Sequence, residues 1–144
     1  MLSSALRMLS LRPHSELEII TRLQQKTENE GLVQEIMQKL RKLNYLDDEK
    51  FAVWMVESYS RSKPKGKNLL VRELKQKGIS PEIIEKVMLE KNDDLAAAQL
   101  LLSKKTNALE KLSDKEYKLK AARLLYSRGF SWNTIETVLK KRYN

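Results

Sequence analysis

Apolar residues along this chain recur at three- and four-residue spacing, and the pattern itself then recurs. Leu32, Val33, Ile36, Met37, Leu40 and Leu43 mark one broad stripe. Phe51, Ala52, Met55, Val56 and Tyr59 mark a second, with Trp54 at its margin, and Leu69, Leu70, Val71 and Leu74 a third, opposite Asn68, Arg72 and Lys75. At 100° per residue each set falls on one side of a helix. The segments beginning at Leu17, Asn68 and Leu119 come into register at an interval of 51 residues, the separation of Leu23 from Leu74 and of Leu74 from Leu125. Val33, Ile84 and Ile135 share an offset, as do Ile36, Val87 and Val138, and the turn positions Thr27, Gly78 and Gly129 follow. A fixed period of this size marks stacked supersecondary units, each too small to bury its apolar face alone. Such arrays usually present binding surfaces.

The spacing predicts an all-α chain of three tandem three-helix units, at 1–46, 47–90 and 91–144. Nine helices are expected, over 3–11, 15–27 and 30–43, then 48–62, 67–77 and 81–90, then 93–105, 114–128 and 132–142. Start signals support these limits. Ser15 with Glu18 and Ser113 with Glu116 have capping-box spacing, Asp47 or Asp48 caps the Phe51 helix, and Ser80 precedes Pro81 at a helix start. Gly78 and Gly129 stand where a helix needs a left-handed terminating residue.

Composition narrows the chemistry. Cysteine is absent, which excludes disulfides and thiolate metal sites and makes a reducing cytoplasm the expected compartment. The longest apolar stretch, Leu95 to Leu102, contains Gln99 and falls far short of the roughly 20 residues of a membrane span. The N-terminal segment lacks a long apolar region and a small-residue cleavage site, so secretion is not expected. The only histidine, His14, has no carboxylate pair or second imidazole near it in sequence and reads as a surface or capping residue. Asp47–Asp48–Glu49 and Asp93–Asp94 read as acidic helix starts favoured by the helix dipole. No phosphate-binding glycine motif is present, and Lys65–Gly66–Lys67 has a single glycine where such loops have several. No enzyme, metal or cofactor is expected.

Charge points the other way, toward a polyanion. The net charge is +9, of which residues 91–144 hold 12 basic and 6 acidic side chains. A solvated lysine-rich surface has the same composition, and so does a nucleic-acid-binding face. Arg61, Lys63, Lys65, Lys67, Arg72, Lys75 and Lys77 cluster around one acid, Glu73. In the third unit the same offset turns Lys67 into Lys118, Arg72 into Arg123 and Lys77 into Arg128, while Lys75 becomes Tyr126. Cations repeated at equivalent positions favour phosphate contact. The first unit has Thr21 and Gln24 at the Arg72 and Lys75 offsets, so its equivalent face should bind something else or nothing. Trp132 reads as a staple of its helix start or as a stacking surface for a partner.

Three segments, LDDEKFA from Leu46, SKPKGKNLLVRELKQKGIS from Ser62 and EIIEKVM from Glu82, together resemble the RecX family of RecA regulators. ALRMLSLRPHSELEIITRL, from Ala5, is similar to that family's opening, and AARLLYSRGFSWNTIETVL, from Ala121, to its close. The first unit departs from the pattern, with KTENEG from Lys26 in place of a lysine–glycine–aromatic turn. The resemblance implies an elongated, curved array of three helical units that binds RecA filaments on single-stranded DNA. It also implies modulation, in the inhibitory direction, of their ATPase, assembly and strand exchange. The expected partners are that filament and free DNA, met by a monomer that touches no membrane. A DNA-binding helical module with no RecA contact is the alternative, since three-helix units resemble helix-turn-helix folds.

Overall fold

The computed structural model describes residues 1–143, and every regular element among them is helical. The helices are α1 (Leu2–Leu11), α2 (Glu16–Lys26), α3 (Glu30–Lys42), α4 (Asp48–Ser62) and α5 (Lys67–Gln76). They continue with α6 (Pro81–Lys91), α7 (Asp94–Lys104), α8 (Thr106–Leu109), α9 (Asp114–Ser127) and α10 (Trp132–Tyr143). Nine of these lie where the apolar spacing puts them. The addition is α8, a single turn inside the segment read from sequence as a connection. It is too short to show a period, and Leu109 anchors it by burial beside Tyr117 and Ala121.

The starts follow the side-chain chemistry. Ser15 and Glu18 form a complete reciprocal capping box on α2. Asn29, Ser80, Asp93, Ser113 and Ser131 each accept a backbone N–H from the first turn of the helix that follows. Of the two aspartates before Phe51, Asp47 is the cap, accepting from the Lys50 N–H at 3.1 Å. The stops divide. Gly78 and Gly129 take φ of +77° and +90°, and Ile79 and Phe130 then donate back to the carbonyls of Leu74 and Leu125, both at 3.1 Å. Glycine reaches that backbone region at no steric cost, which accounts for a glycine at this offset, and Asn44 ends α3 with a φ of +61° in the same region. Thr27 occupies the offset in the first repeat with an extended backbone, so α2 ends without the left-handed turn.

Two compact units result. The first comprises Met1–Met55 with Leu74–Val87, and the second comprises Val56–Glu73 with the chain from Met88 onward. The helices of the middle repeat are therefore shared between them. In the first unit Ala5, Ile19, Leu23, Val33, Ile36, Met37 and Leu40 form a continuous core. In the second, Ala98, Leu101, Leu125, Phe130, Ile135 and Val138 do so, and α8 adds Leu109 against Tyr117 and Ala121. The repeat is legible in burial. Leu23, Leu74 and Leu125 are all at most 1% exposed, and Val33, Ile84 and Ile135 at most 4%. Full burial of each such side chain contributes about 1.5–3 kcal/mol.

Candidate nucleic-acid interface

Gly66 and Lys67 open α5, and the free N–H groups of a helix start would be the natural place for a phosphate. The protein already fills that place. Gly66 N–H donates to the Arg128 carbonyl at 2.7 Å, Asn68 N–H to the Gly129 carbonyl at 3.1 Å, and Lys67 N–H to Asp94 Oδ1 at 3.0 Å. A Cβ on Gly66 would overlap the Gly129 carbonyl, so this glycine serves close backbone approach within the second unit. Asp94 also takes the Asn92 amide at 3.0 Å. In the first unit Asp48 Oδ1 accepts the Glu16 N–H at 2.9 Å. Each aspartate thus completes the start of a helix other than its own, a pairing that sequence alone did not reveal.

The cations separate into held and available groups. Lys65 Nζ bonds Glu73 Oε1 at 2.7 Å and lies 3.7 Å from the Tyr59 ring centroid, with 15% of its side chain exposed. Its charge serves the fold. Lys77 pairs with Glu18 at 3.2 Å. Arg61, Lys63, Lys67, Arg72, Lys75 and Arg123 are exposed, and among the described residues no carboxylate pairs with them. Lys118 is exposed and has an interaction of its own within the fold, while Arg128 is half-buried. Arg61, Lys63, Lys65, Lys67, Arg72, Lys118, Arg123 and Arg128 belong to the second compact unit, and Lys75 and Lys77 to the first. At the end of α4, Lys104 Nζ donates to the carbonyls of Ser62 at 2.9 Å and Arg61 at 3.3 Å, a cation on open helix-end carbonyls.

The first unit holds a second polar cluster. His14, read from sequence as a surface or capping residue, is buried, its Nδ1 3.0 Å from the Arg12 carbonyl. Burial first, and then the neighbouring Arg12 charge, lowers its pKa below 6.5. Glu18 is partly buried, which alone would raise its pKa. Hydrogen bonds from Arg12, the Ser15 N–H and Lys77 outweigh burial and bring it down to about 2. The Arg12 guanidinium lies 5.0 Å from the Trp54 ring centroid and 6.0 Å from that of Phe51. These groups satisfy one another and form a structural network. No group of three or more His, Asp or Glu among the described residues is placed to hold a metal ion.

Trp132 is exposed and stacks on Tyr126, ring centroids 5.1 Å apart and planes 21° from parallel. This contact is compatible with both readings that the sequence leaves open for Trp132, a staple of the α10 start and a stacking surface for a partner.

The described residues thus form an all-helical repeat protein that carries exposed cations on α5 and α9. Three family models match in sequence: RecX, first three-helix domain, over 2–40; second, over 47–88; and third, over 92–139. The chain is 33% identical over 136 residues to Regulatory protein RecX of Pelodictyon phaeoclathratiforme, covering 94% of this chain and 84% of the relative. To that of Chlorobium phaeobacteroides it is 36% identical over 135 residues, covering 94% and 88%. With that of Bacillus subtilis it shares 31% over 137 residues, spanning about half (52%) of that protein. The crystal structure of RecX from Lactobacillus salivarius superposes with a TM-score of 0.81 at 25% identity, covering 97% of this chain and 92% of that one. This chain belongs to the RecX family of regulatory proteins.

Proposed function

We propose that this chain binds the RecA filament on single-stranded DNA and restrains its ATP turnover, assembly and strand exchange. Family membership across all three repeats carries the reading. The cations Lys67, Arg72 and Lys75 on α5 and Arg123 on α9, exposed and unpaired among the described residues, supply the physical means, since each can release a counterion when it meets a phosphate. Consecutive repeats offer more than one contact on one chain, and the first contact raises the effective concentration for the next. Holding neighbouring protomers in one arrangement blocks the cycling that ATP hydrolysis requires. The chain acts in the cytoplasm, without chemistry of its own. RecA ATPase on single-stranded DNA, measured with and without this protein, tests the reading. A concentration-dependent fall is expected. An unchanged rate with DNA binding retained would mark a DNA-binding module that makes no RecA contact.

A further inference from the structure

The aromatic pair of the second unit has a role that charge does not cover. Tyr126 is 60% exposed and Trp132 57%, so more than half of each residue meets solvent even though the rings stack on each other. The fold does not demand aromatics there. One repeat earlier the equivalent positions hold Lys75 and Pro81, and that repeat forms the same two helices and turn. On α9, Lys115, Leu119, Arg123 and Tyr126 follow at four-, four- and three-residue spacing, which puts them on one side of the helix. All four are exposed, and among the described residues no carboxylate pairs with Lys115 or Arg123. Glu116, about 100° around the helix from Lys115, lies at the edge of this run. Cation, apolar, cation and aromatic thus share one face.

We propose that Tyr126 and Trp132 form a base-stacking platform for single-stranded nucleic acid, with Arg123 and Lys115 holding the flanking phosphates. Every base offers a π-face, so such a platform binds without reading sequence. A duplex keeps its base faces occupied by its own stacking, which directs the platform to unpaired strands. Charge complementarity selects this occupant over an apolar protein surface. The proposal rests on the reading that this chain meets single-stranded DNA.

The chain has two tryptophans, so Trp54→Phe leaves Trp132 as the only indole. In that background a thymidine oligonucleotide is titrated against an abasic strand of equal length, with Tyr126→Ala, Trp132→Ala and Trp132→Phe as variants. The thymidine strand is expected to quench Trp132 emission and the abasic strand to leave it unchanged. Read by the anisotropy of a labelled strand, either alanine variant should weaken thymidine binding roughly five- to hundredfold and leave abasic binding as it was, with Trp132→Phe largely restored. Equal affinity for both strands, or no binding of either, overturns the platform. So does a Trp132→Ala variant that lowers only the melting temperature, which would make the ring a staple. Loss of filament regulation with oligonucleotide binding intact would assign the surface to a protein instead. Filament ATPase with the wild-type chain keeps the two readings apart: no effect there sinks the regulator reading whatever the oligonucleotides show.

Discussion

Asp94 sits at the start of α7, yet its carboxylate accepts the backbone N–H of Lys67, at the start of α5, over 3.0 Å. Asp48 and Glu16 repeat the relationship at 2.9 Å between α4 and α2. Acting only on its own helix dipole, either aspartate would contribute a few tenths of a kcal/mol. As the cap of another helix, its replacement by Ala should cost about 1 kcal/mol, within a range of roughly 0.5–2. Urea unfolding of Asp94→Ala and Asp48→Ala measures this. A loss no larger than that of an exposed acid such as Glu90→Ala would mean that these bonds add nothing.

The repeat makes a stability prediction of its own. Leu23, Leu74 and Leu125 are at most 1% exposed, and each replaced by Ala should destabilise by about 2–5 kcal/mol. Leu89, 78% exposed, should change stability by under about 0.5 kcal/mol. Denaturant melts of the four variants separate the two classes, and a mild Leu74→Ala would contradict its place in the core.

Why these leucines were legible and the aspartate caps were not has a physical reason. Helix position, the buried offsets and the glycine stops depend on local periodicity and backbone geometry, both written in neighbouring residues. An aspartate near a helix start is favourable to its own helix, so nothing local tells that Asp94 serves α5. The cations show the same limit. Lys65 and Lys67 look alike in sequence, and only packing against Tyr59 and Glu73 sets Lys65 apart. The single acid in that run, Glu73, was the available hint.

Lys65 and its neighbours should therefore respond differently. Lys65→Ala leaves Glu73 partly buried without its cation, with Oε2 already unpartnered, and should cost about 1–3 kcal/mol. The Lys67, Arg72 and Lys75 triple alanine variant should stay near wild-type stability but bind DNA more weakly. Each lost phosphate contact should flatten the salt dependence by about one unit of slope. Thermal melts and binding at two salt concentrations read both effects. Unchanged binding by the triple variant would reduce the cluster to a solvated face.

Acid should weaken the first unit through Glu18. Its pKa falls from 4.5 to about 2 on folding, so its contribution is complete above pH 4.5 and lost as pH drops toward 2. The contribution is on the order of 3 kcal/mol. His14, lowered by burial, acts in the same direction, losing its contribution as pH falls below 6.5. Asp48, raised above 3.8 chiefly by burial, opposes them by gaining stability on protonation. Urea unfolding at pH 7, 5 and 3 should show the decline, and Glu18→Gln should remove most of the change below pH 4.5. An equal decline in that variant would place the acid sensitivity elsewhere.

Regulation of a preformed filament is the central claim, and a titration of RecA ATPase on single-stranded DNA tests it most directly. Increasing amounts of this protein should lower the rate to a plateau, with the Lys67, Arg72 and Lys75 triple variant needing more protein to reach it. The chain alone should hydrolyse neither ATP nor DNA. A rate that stays flat at saturating protein, or turnover by the chain alone that is lost on replacing one acidic or histidine residue, would contradict the account.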